Sequence, residues 1–335
     1  MLRQVAIPGA SPATWASLPV WLARLAALAT LGALTIAALA YLAPVQRIAS
    51  LADLVTPLLG HVLIGGASAA LALWWKRHEI VIMTAGVALA LLVHPALSFA
   101  LQPRALWPVE TAAAAPGPLR VYALNSWDEN TDLPRLERAL DIIGADVIVL
   151  VEADASKLPM IARLKSRFPH QVSCAARYEC ATAILSRLPI VASSAARPRN
   201  EVPPIAWARI DVSARGLGVV TIVGTHVHRP TRSARLHTAQ MQALTAIVAG
   251  IKGPLIVAGD FNTGAWSASY NAFLHTTGLT PFATLVPTWP AYPVVAPQVA
   301  LDHILVSREL AVTRSGAGPA TGSDHLPVFA EITAK

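Results

Sequence analysis

Charged residues are missing from three long stretches early in the chain: between Arg24 and Arg47, between Asp53 and Lys76, and between Glu79 and Arg104. Each stretch exceeds the roughly 20 residues a helix needs to cross a bilayer. Buried helices of a soluble core would show charged solvent faces at intervals, and these runs do not. A cleavable signal peptide accounts for the first run at most, and Arg24 lies too deep for a short n-region. The pattern predicts three transmembrane helices, near 23–45, 54–75 and 80–102.

After "TAAAAPGPLR" (Thr111 to Arg120), a small-residue linker, the pattern changes to short apolar runs separated by amphipathic segments. "LRVYALN", "DVIVLVE", "ATAILS", "IAWARIDVS", "LGVVTIVGTHVH", "PLIVAGDFN", "VALDHILVS" and "HLPVFAEI" read as strands. "LPRLERALDIIGA" reads as a helix with Leu133, Leu136, Leu140 and Ile143 on one face. "SKLPMIARLKSRF", "SARLHTAQMQALTAIVAGI" and "SASYNAFLHTTGL" are the other helix candidates. Helices separating strands predict mixed sheets covered on their outer faces. "VIVLV" and "LIVAG" are apolar on both faces and belong in sheet centres. The expected organisation is a membrane region over 1–110, a linker over 111–118 and an α/β domain over 119–335.

Composition sharpens the membrane reading. The 335 residues are 54% hydrophobic and only 13% charged, about half the charge of a typical soluble domain. Arg3 and Arg24 precede the first run, and Lys76 and Arg77 lie between the second and third. Arg47 and Arg104 stand on the other side. The richer side faces the cytoplasm, so everything after the third helix is expected outside, periplasmic if the membrane is a bacterial inner one. Cys174 and Cys180 fall in that outer portion. There they would close a short disulfide, and in a reducing compartment they would be plain thiols. The net charge of +7 permits an anionic substrate without marking a nucleic-acid footprint.

Candidate chemistry lies at the strand ends. Asn125, Glu152, His226, Asp260 with Asn262, and Asp302 each end an expected strand on its C-terminal side. "GSDHLPV" brings Asp324 and His325 just before the last strand. Any one of these reads as a cap or turn residue. Together they do not, because turns have no need of histidine. Asp260 and Asn262 stand two apart, so extended backbone aims both side chains to one face.

The motifs "ALNSW", "VLVEAD", "GTHVH", "AGDFNT", "LDHILVS" and "GSDHLPV", in that order over 119–333, resemble the endonuclease/exonuclease/phosphatase superfamily, with its bacterial membrane-tethered members most similar. The resemblance implies a four-layered α/β sandwich of two mixed sheets with the site at one rim. It implies Mg2+ (or Mn2+) held by Glu152, with Asn125 nearby and Asp324 completing or supporting the site. His325 would be the general base, Asp302 would orient it, and Asp260 would position the nucleophile or help transfer a proton. Asn262 and His226 would bond phosphate oxygens. His228 would be a second phosphate contact or a surface histidine. One departure is Val151, where a Gln often precedes the metal Glu. No segment matches a DNA-recognition loop.

The chemistry is sound on its own terms. A phosphodiester repels an anionic nucleophile, so its hydrolysis needs a cation and oriented donors. Mg2+ takes oxygen ligands, and one or two carboxylates suffice. The expected activity is metal-dependent hydrolysis of a phosphoric ester, with nucleic acid and a lipid or inositol phosphate both open as substrates. A silent binding protein on the same fold is the reading from another class. For topology, a fusion after Lys335 should activate only a reporter that requires the oxidising side. Activity of a cytoplasm-only reporter there would overturn the three-span arrangement.

Overall fold

The computed structural model describes residues 20–33, 35, 52–53, 55–75, 78, 81–90, 117–142, 144–174, 180–196, 201–282 and 286–335. Within them, period-two alternation builds two six-stranded mixed sheets. One runs β11 (Leu310–Ala317), β12 (Val328–Ala334), β1 (Leu119–Asn125), β2 (Val147–Val151), β4 (Thr182–Ser186) and β3 (His170–Ser173). The other runs β5 (Ile190–Ala196), β6 (Ile205–Asp211), β7 (Val219–His226), β8 (Leu255–Asp260), β10 (Asp302–Val306) and β9 (Thr280–Phe282). Within each sheet one pair is parallel, β1 with β2 and β7 with β8, and the rest are antiparallel.

The sheets pack face to face through one row of each strand. Val121 and Ala123, Val147 and Val149, Val220 and Ile222, Ile256 and Ala258, and Ile304 and Val306 form that inner core. The opposite rows carry the helices. Tyr122, Leu124, Ile148 and Leu150 bury Leu136 and Leu140 of α4 (Leu133–Ile142) with Met160 and Ile161 of α5 (Leu158–Arg163). Val223, Val257 and Leu305 bury Met241, Leu244 and Val248 of α6 (Pro230–Ala249) with Tyr270 and Phe273 of α7 (Ala268–Thr277). The result is the expected four-layered sandwich, with β2 and β8 inside their sheets. Ile143 of the expected helix face lies outside the described residues.

Four strands carry no signal strong enough to name from sequence: β3, β5, β9 and β11. All four are sheet edges. An edge strand needs no two-faced apolar run and is better protected from mispairing by polar residues. Asp302 also differs from expectation. It opens β10 instead of closing a strand. Because β10 runs antiparallel to β8, with Asp302 opposite Asp260, its first residue reaches the same rim as the others' last.

Cys174 and Cys180 are joined as a disulfide. Of the apolar N-terminal runs, the described helices are α1 (Val20–Ala33), α2 (Leu59–Trp74, entered by a 3-10 turn from Thr56) and α3 (Val81–Ala90). The stretch Thr56–Trp74 is long and apolar enough to cross a membrane, and only 17% of its span window is buried. The remaining parts of the expected spans at 23–45 and 80–102 lie outside the described residues. The helices meet through small side chains. A Cβ on Gly66 would overlap Thr30, and one on Gly86 would overlap Ser68, the close approach that apolar helices use where no hydrophobic effect drives them together.

Gly259 lets β8 approach β7 closely just before Asp260. Its φ is +141°, and a Cβ there would run into the Thr225 carbonyl of the neighbouring strand. Gly259→Ala should lower the urea midpoint by the equivalent of about 2 kcal/mol or more. An unchanged midpoint would show that β7 yields at no cost.

Candidate active site

The inward rows that make the core end in polar residues at one rim. Asn125 continues Val121 and Ala123, His226 continues Val220 and Ile222, and Asp260 continues Ile256 and Ala258. Asp302 leads into Ile304. His226 pairs in register with Asp260, and Asp260 with Asp302. Glu152 has the wrong parity, since Ile148 and Leu150 face the helices. A positive φ of 52° at Glu152 breaks the alternation and turns its carboxylate inward. Such a conformation is strained for a non-glycine residue and persists only where surroundings fix it.

Those surroundings are visible. Asn125 Nδ2 donates to Glu152 Oε1 at 2.9 Å and to Asp260 Oδ2 at 3.0 Å. Asp128 N donates to Glu152 Oε2 at 3.0 Å. Asn125 Oδ1 accepts from Trp127 N at 2.9 Å, so this amide bridges two acids from two sheets. His226 Nε2 lies 3.6 Å from Glu152 Oε1 and 3.7 Å from Asp260 Oδ2. Asn262 N donates to Asp260 Oδ1 at 2.7 Å, and its Nδ2 reaches Val227 O at 2.9 Å. His325 Nδ1 donates to Asp302 Oδ2 at 2.8 Å, and its Nε2 lies 3.9 Å from Asp260 Oδ2. Ser323 sets this histidine's loop, donating to Asn125 O at 2.6 Å and accepting from His325 N at 3.1 Å.

A cavity of about 560 Å³ opens over these residues, with Glu152, Asp260, Asn262, Asp324 and His325 in its wall. Asp324 Oδ2 accepts from Trp289 Nε1 at 3.2 Å, while its Oδ1 is buried without a hydrogen-bond partner. His228 lines an adjoining cavity of about 130 Å³ instead, with His226, Arg229 and Arg232. Both arginines also border the larger cavity. Neither was singled out from sequence, although "HRPTR" directly follows the His226 motif and carried the signal. Trp127 closes the "ALNSW" motif two residues after Asn125 and reaches the rim locally, whereas long-range folding brings Trp289 there.

The donor set suits a hard divalent cation. Glu152, His226 and Asp260 offer ligand atoms within 4.8 Å of one another, as do Asp260, Asp302 and His325. Asp324 belongs to neither group but shares the cavity. Carboxylate oxygens dominate, as Mg2+ or Mn2+ prefers.

The charges are strongly coupled. Burial pushes Glu152 up, but His226, Asn125 and the Asp128 amide outweigh it and hold the carboxyl at about 2. Burial and the neighbouring Asp302 push Asp260 up to about 6. Burial opposes charging of His325, yet Asp302, Asp260 and Asp324 together raise it to about 10. Burial lowers His303 to about 4. That histidine is bonded to Thr263 O at 2.7 Å and packs against Phe261 and Tyr270, a structural role.

The chain belongs to the endonuclease/exonuclease/phosphatase family, whose model matches residues 123–325. Its fold is similar to that of a family member from Bacteroides thetaiotaomicron, at 16% identity over 66% of this chain and 96% of that one, with a TM-score of 0.50. A member from Beutenbergia cavernae shares 20% identity over 65% of this chain and 72% of its own, with a TM-score of 0.50. The catalytic domain of human Nocturnin, solved with a bound sulfate anion, shares 21% over 65% and 94%, with a TM-score of 0.50. At these identities the likeness concerns the fold alone. No curated protein gives a match.

His325 makes the metal-free site sensitive to alkali. Its folded pKa of about 10 lies above the ordinary histidine value of about 6.5. The stabilisation from its pairing with Asp302 is therefore complete below about pH 6.5 and is lost as pH climbs toward 10. Urea unfolding in EDTA between pH 6 and 9 should show that decline, and His325→Asn should flatten it. Equal slopes in both proteins would place the titration elsewhere.

Proposed function

We propose that the protein is a membrane-anchored, divalent-metal-dependent phosphodiesterase with its catalytic domain on the outer, oxidising side. The observation that carries the reading is the His325–Asp302 pair at 2.8 Å, set in a cavity wall that also holds Glu152, Asp260 and Asp324. A phosphoric ester fits this arrangement because the reaction needs a general base, a cation and donors to phosphate oxygens.

Each residue then has a task. Glu152, Asp260 and Asp324, with His226 or Asn125 at the margin, would hold the cation. Bound there, Mg2+ or Mn2+ would act as a Lewis acid on the phosphoryl group. The surrounding acids keep His325 protonated near neutrality, so base function at Nε2 requires their charge to be offset. That requirement is itself a physical reason for metal dependence. Asp302 fixes the tautomer by accepting from Nδ1, which leaves Nε2 to take a proton from water. Asp260, near neutrality in its pKa, holds or releases a proton close by. Asn262 and His226 face the phosphate, and Arg229 and Arg232 add positive charge to the rim.

Membrane attachment is supported by the apolar stretch Thr56–Trp74 and by the large apolar side chains that α1 and α3 expose, among them Trp21, Leu25, Leu28, Val81 and Val87. The Cys174–Cys180 disulfide supports the oxidising side. Asp53, which precedes the second run, is buried against Ser267 of the catalytic domain, as expected if both lie on one face of the bilayer. A silent binding protein would lack part of the constellation, and none of it is missing.

The full chain in detergent should hydrolyse bis(p-nitrophenyl) phosphate with Mg2+ or Mn2+, and EDTA should abolish the activity. His325→Ala should lower kcat by ~100-fold or more, the scale for loss of a general base. Folded protein inert toward every phosphate ester would refute the enzyme reading.

A further inference from the structure

The catalytic cavity is not made by the catalytic domain alone. Asp53, Pro57 and Leu58, from the turn that leads into α2, form part of its wall. Three contacts build that junction. Ser267 Oγ donates to Asp53, which is fully buried. His237 Nε2 faces Asp53 Oδ2 at 3.6 Å. His61, one turn into α2, is bonded through Nε2 to Gln298 Oε1 at 3.0 Å.

Pro57 and Leu58 present an apolar surface beside the site, and Val299, Leu301 and Trp127 extend it. Leu58 remains 45% exposed. The loop before Gln298 is exposed and apolar as well, with Tyr292 at 53%, Val294 at 69% and Val295 at 53%. The stretch Thr56–Trp74 has 19 residues, about 28 Å at about 1.5 Å per residue, which matches the roughly 30 Å hydrocarbon core. As a span, it would set its first turn at the membrane surface and the cavity rim beside it at headgroup depth.

We propose that the substrate is a phosphate ester carrying an alkyl chain held in the same bilayer, the chain passing Leu58 at the end of α2 while the phosphate meets the catalytic rim. This rests on the phosphodiesterase reading and on α2 as a span. In the reaction, water adds to phosphorus, one P–O ester bond breaks, and the departing oxygen ends with a proton. A nucleic acid would have no use for an apolar wall continuous with a membrane helix.

The test uses the full chain in phosphatidylcholine vesicles with Mg2+, assayed on p-nitrophenyl methyl phosphate and p-nitrophenyl dodecyl phosphate. The dodecyl ester should show kcat/KM at least roughly tenfold higher, well within what burying several methylenes yields. Leu58→Glu, or the milder Leu58→Ser, should remove most of that ratio, and Leu58→Met should keep it. Circular dichroism and the thermal midpoint report whether each variant is folded, and the ratio of the two esters is read only on folded protein. A ratio near one, a ratio that survives both polar variants, or faster cleavage of duplex DNA than of the dodecyl ester would overturn the inference while leaving the phosphodiesterase standing. If neither ester nor DNA is cleaved, the phosphodiesterase reading falls and this inference with it.

Discussion

The seam between the two sheets determines nearly everything else. Strand side chains alternate, so each strand contributes one row to the seam and one to a helix. The seam rows are aliphatic for two or three positions and then end in Asn125, His226, Asp260 and, from the opposite strand direction, Asp302. Packing two such rows sets both the depth and the mutual approach of those polar ends. Asn125 and Asp260 come from different sheets, yet they meet at 3.0 Å. The catalytic rim is the edge of the hydrophobic core, positioned by the same aliphatic contacts that hold the domain together. Gly224 shows how tight the seam is, since a Cβ there would lie 2.8 Å from Val149 Cγ1 in the facing sheet.

That placement gathers Glu152, Asp260, Asp302 and Asp324 around two histidines in a largely buried site. Like charges this close cannot all be accommodated at their ordinary pKa. The pressure is divided unevenly. Glu152 is relieved of its burial by His226, Asn125 and the Asp128 amide, whereas Asp260 is shifted up by its burial and then by the field of Asp302. His325 absorbs the rest. Such an arrangement concentrates like charge on the residues proposed to do the chemistry, and a bound cation would relieve it.

The period-two signal made the interior of both sheets legible in the sequence. "VIVLV" and "LIVAG" could only be central strands, and Asn125, His226 and Asp260 follow from where such runs stop. What escaped is what that period does not encode. The edge strands β3, β5, β9 and β11 need only one apolar face. The direction of β10 depends on a partner far away in sequence, so the run "VALDHILVS" does not show that Asp302 opens its strand while still reaching the shared rim. Glu152 reaches the rim through a left-handed backbone that no alternation predicts. Trp289 arrives on a loop whose path is fixed by tertiary contacts, and Arg229 and Arg232 sit at the N-cap and in the first turn of α6, placed by where that helix docks.

Asp53 is the clearest case of a residue whose meaning only the fold supplies. In sequence it is a lone acid between two apolar runs, useful for marking a boundary. In the structure it is buried beside the N-terminus of α7, where Ser267 caps the helix by accepting from Tyr270 N and donates a hydrogen bond to Asp53. Burying a carboxylate is costly unless it is bonded and its charge is met. Here the Ser267 hydroxyl bonds one oxygen, the positive end of the helix lies beside it, and His237 Nε2 stands 3.6 Å from the other oxygen. The contact makes the junction specific, because an apolar residue at 53 would remove the Ser267 bond across it. Because Pro57 and Leu58 follow four and five residues later, fixing Asp53 also fixes which apolar side chains border the catalytic cavity. The contact that docks the apolar region on the α/β domain therefore also shapes the cavity wall.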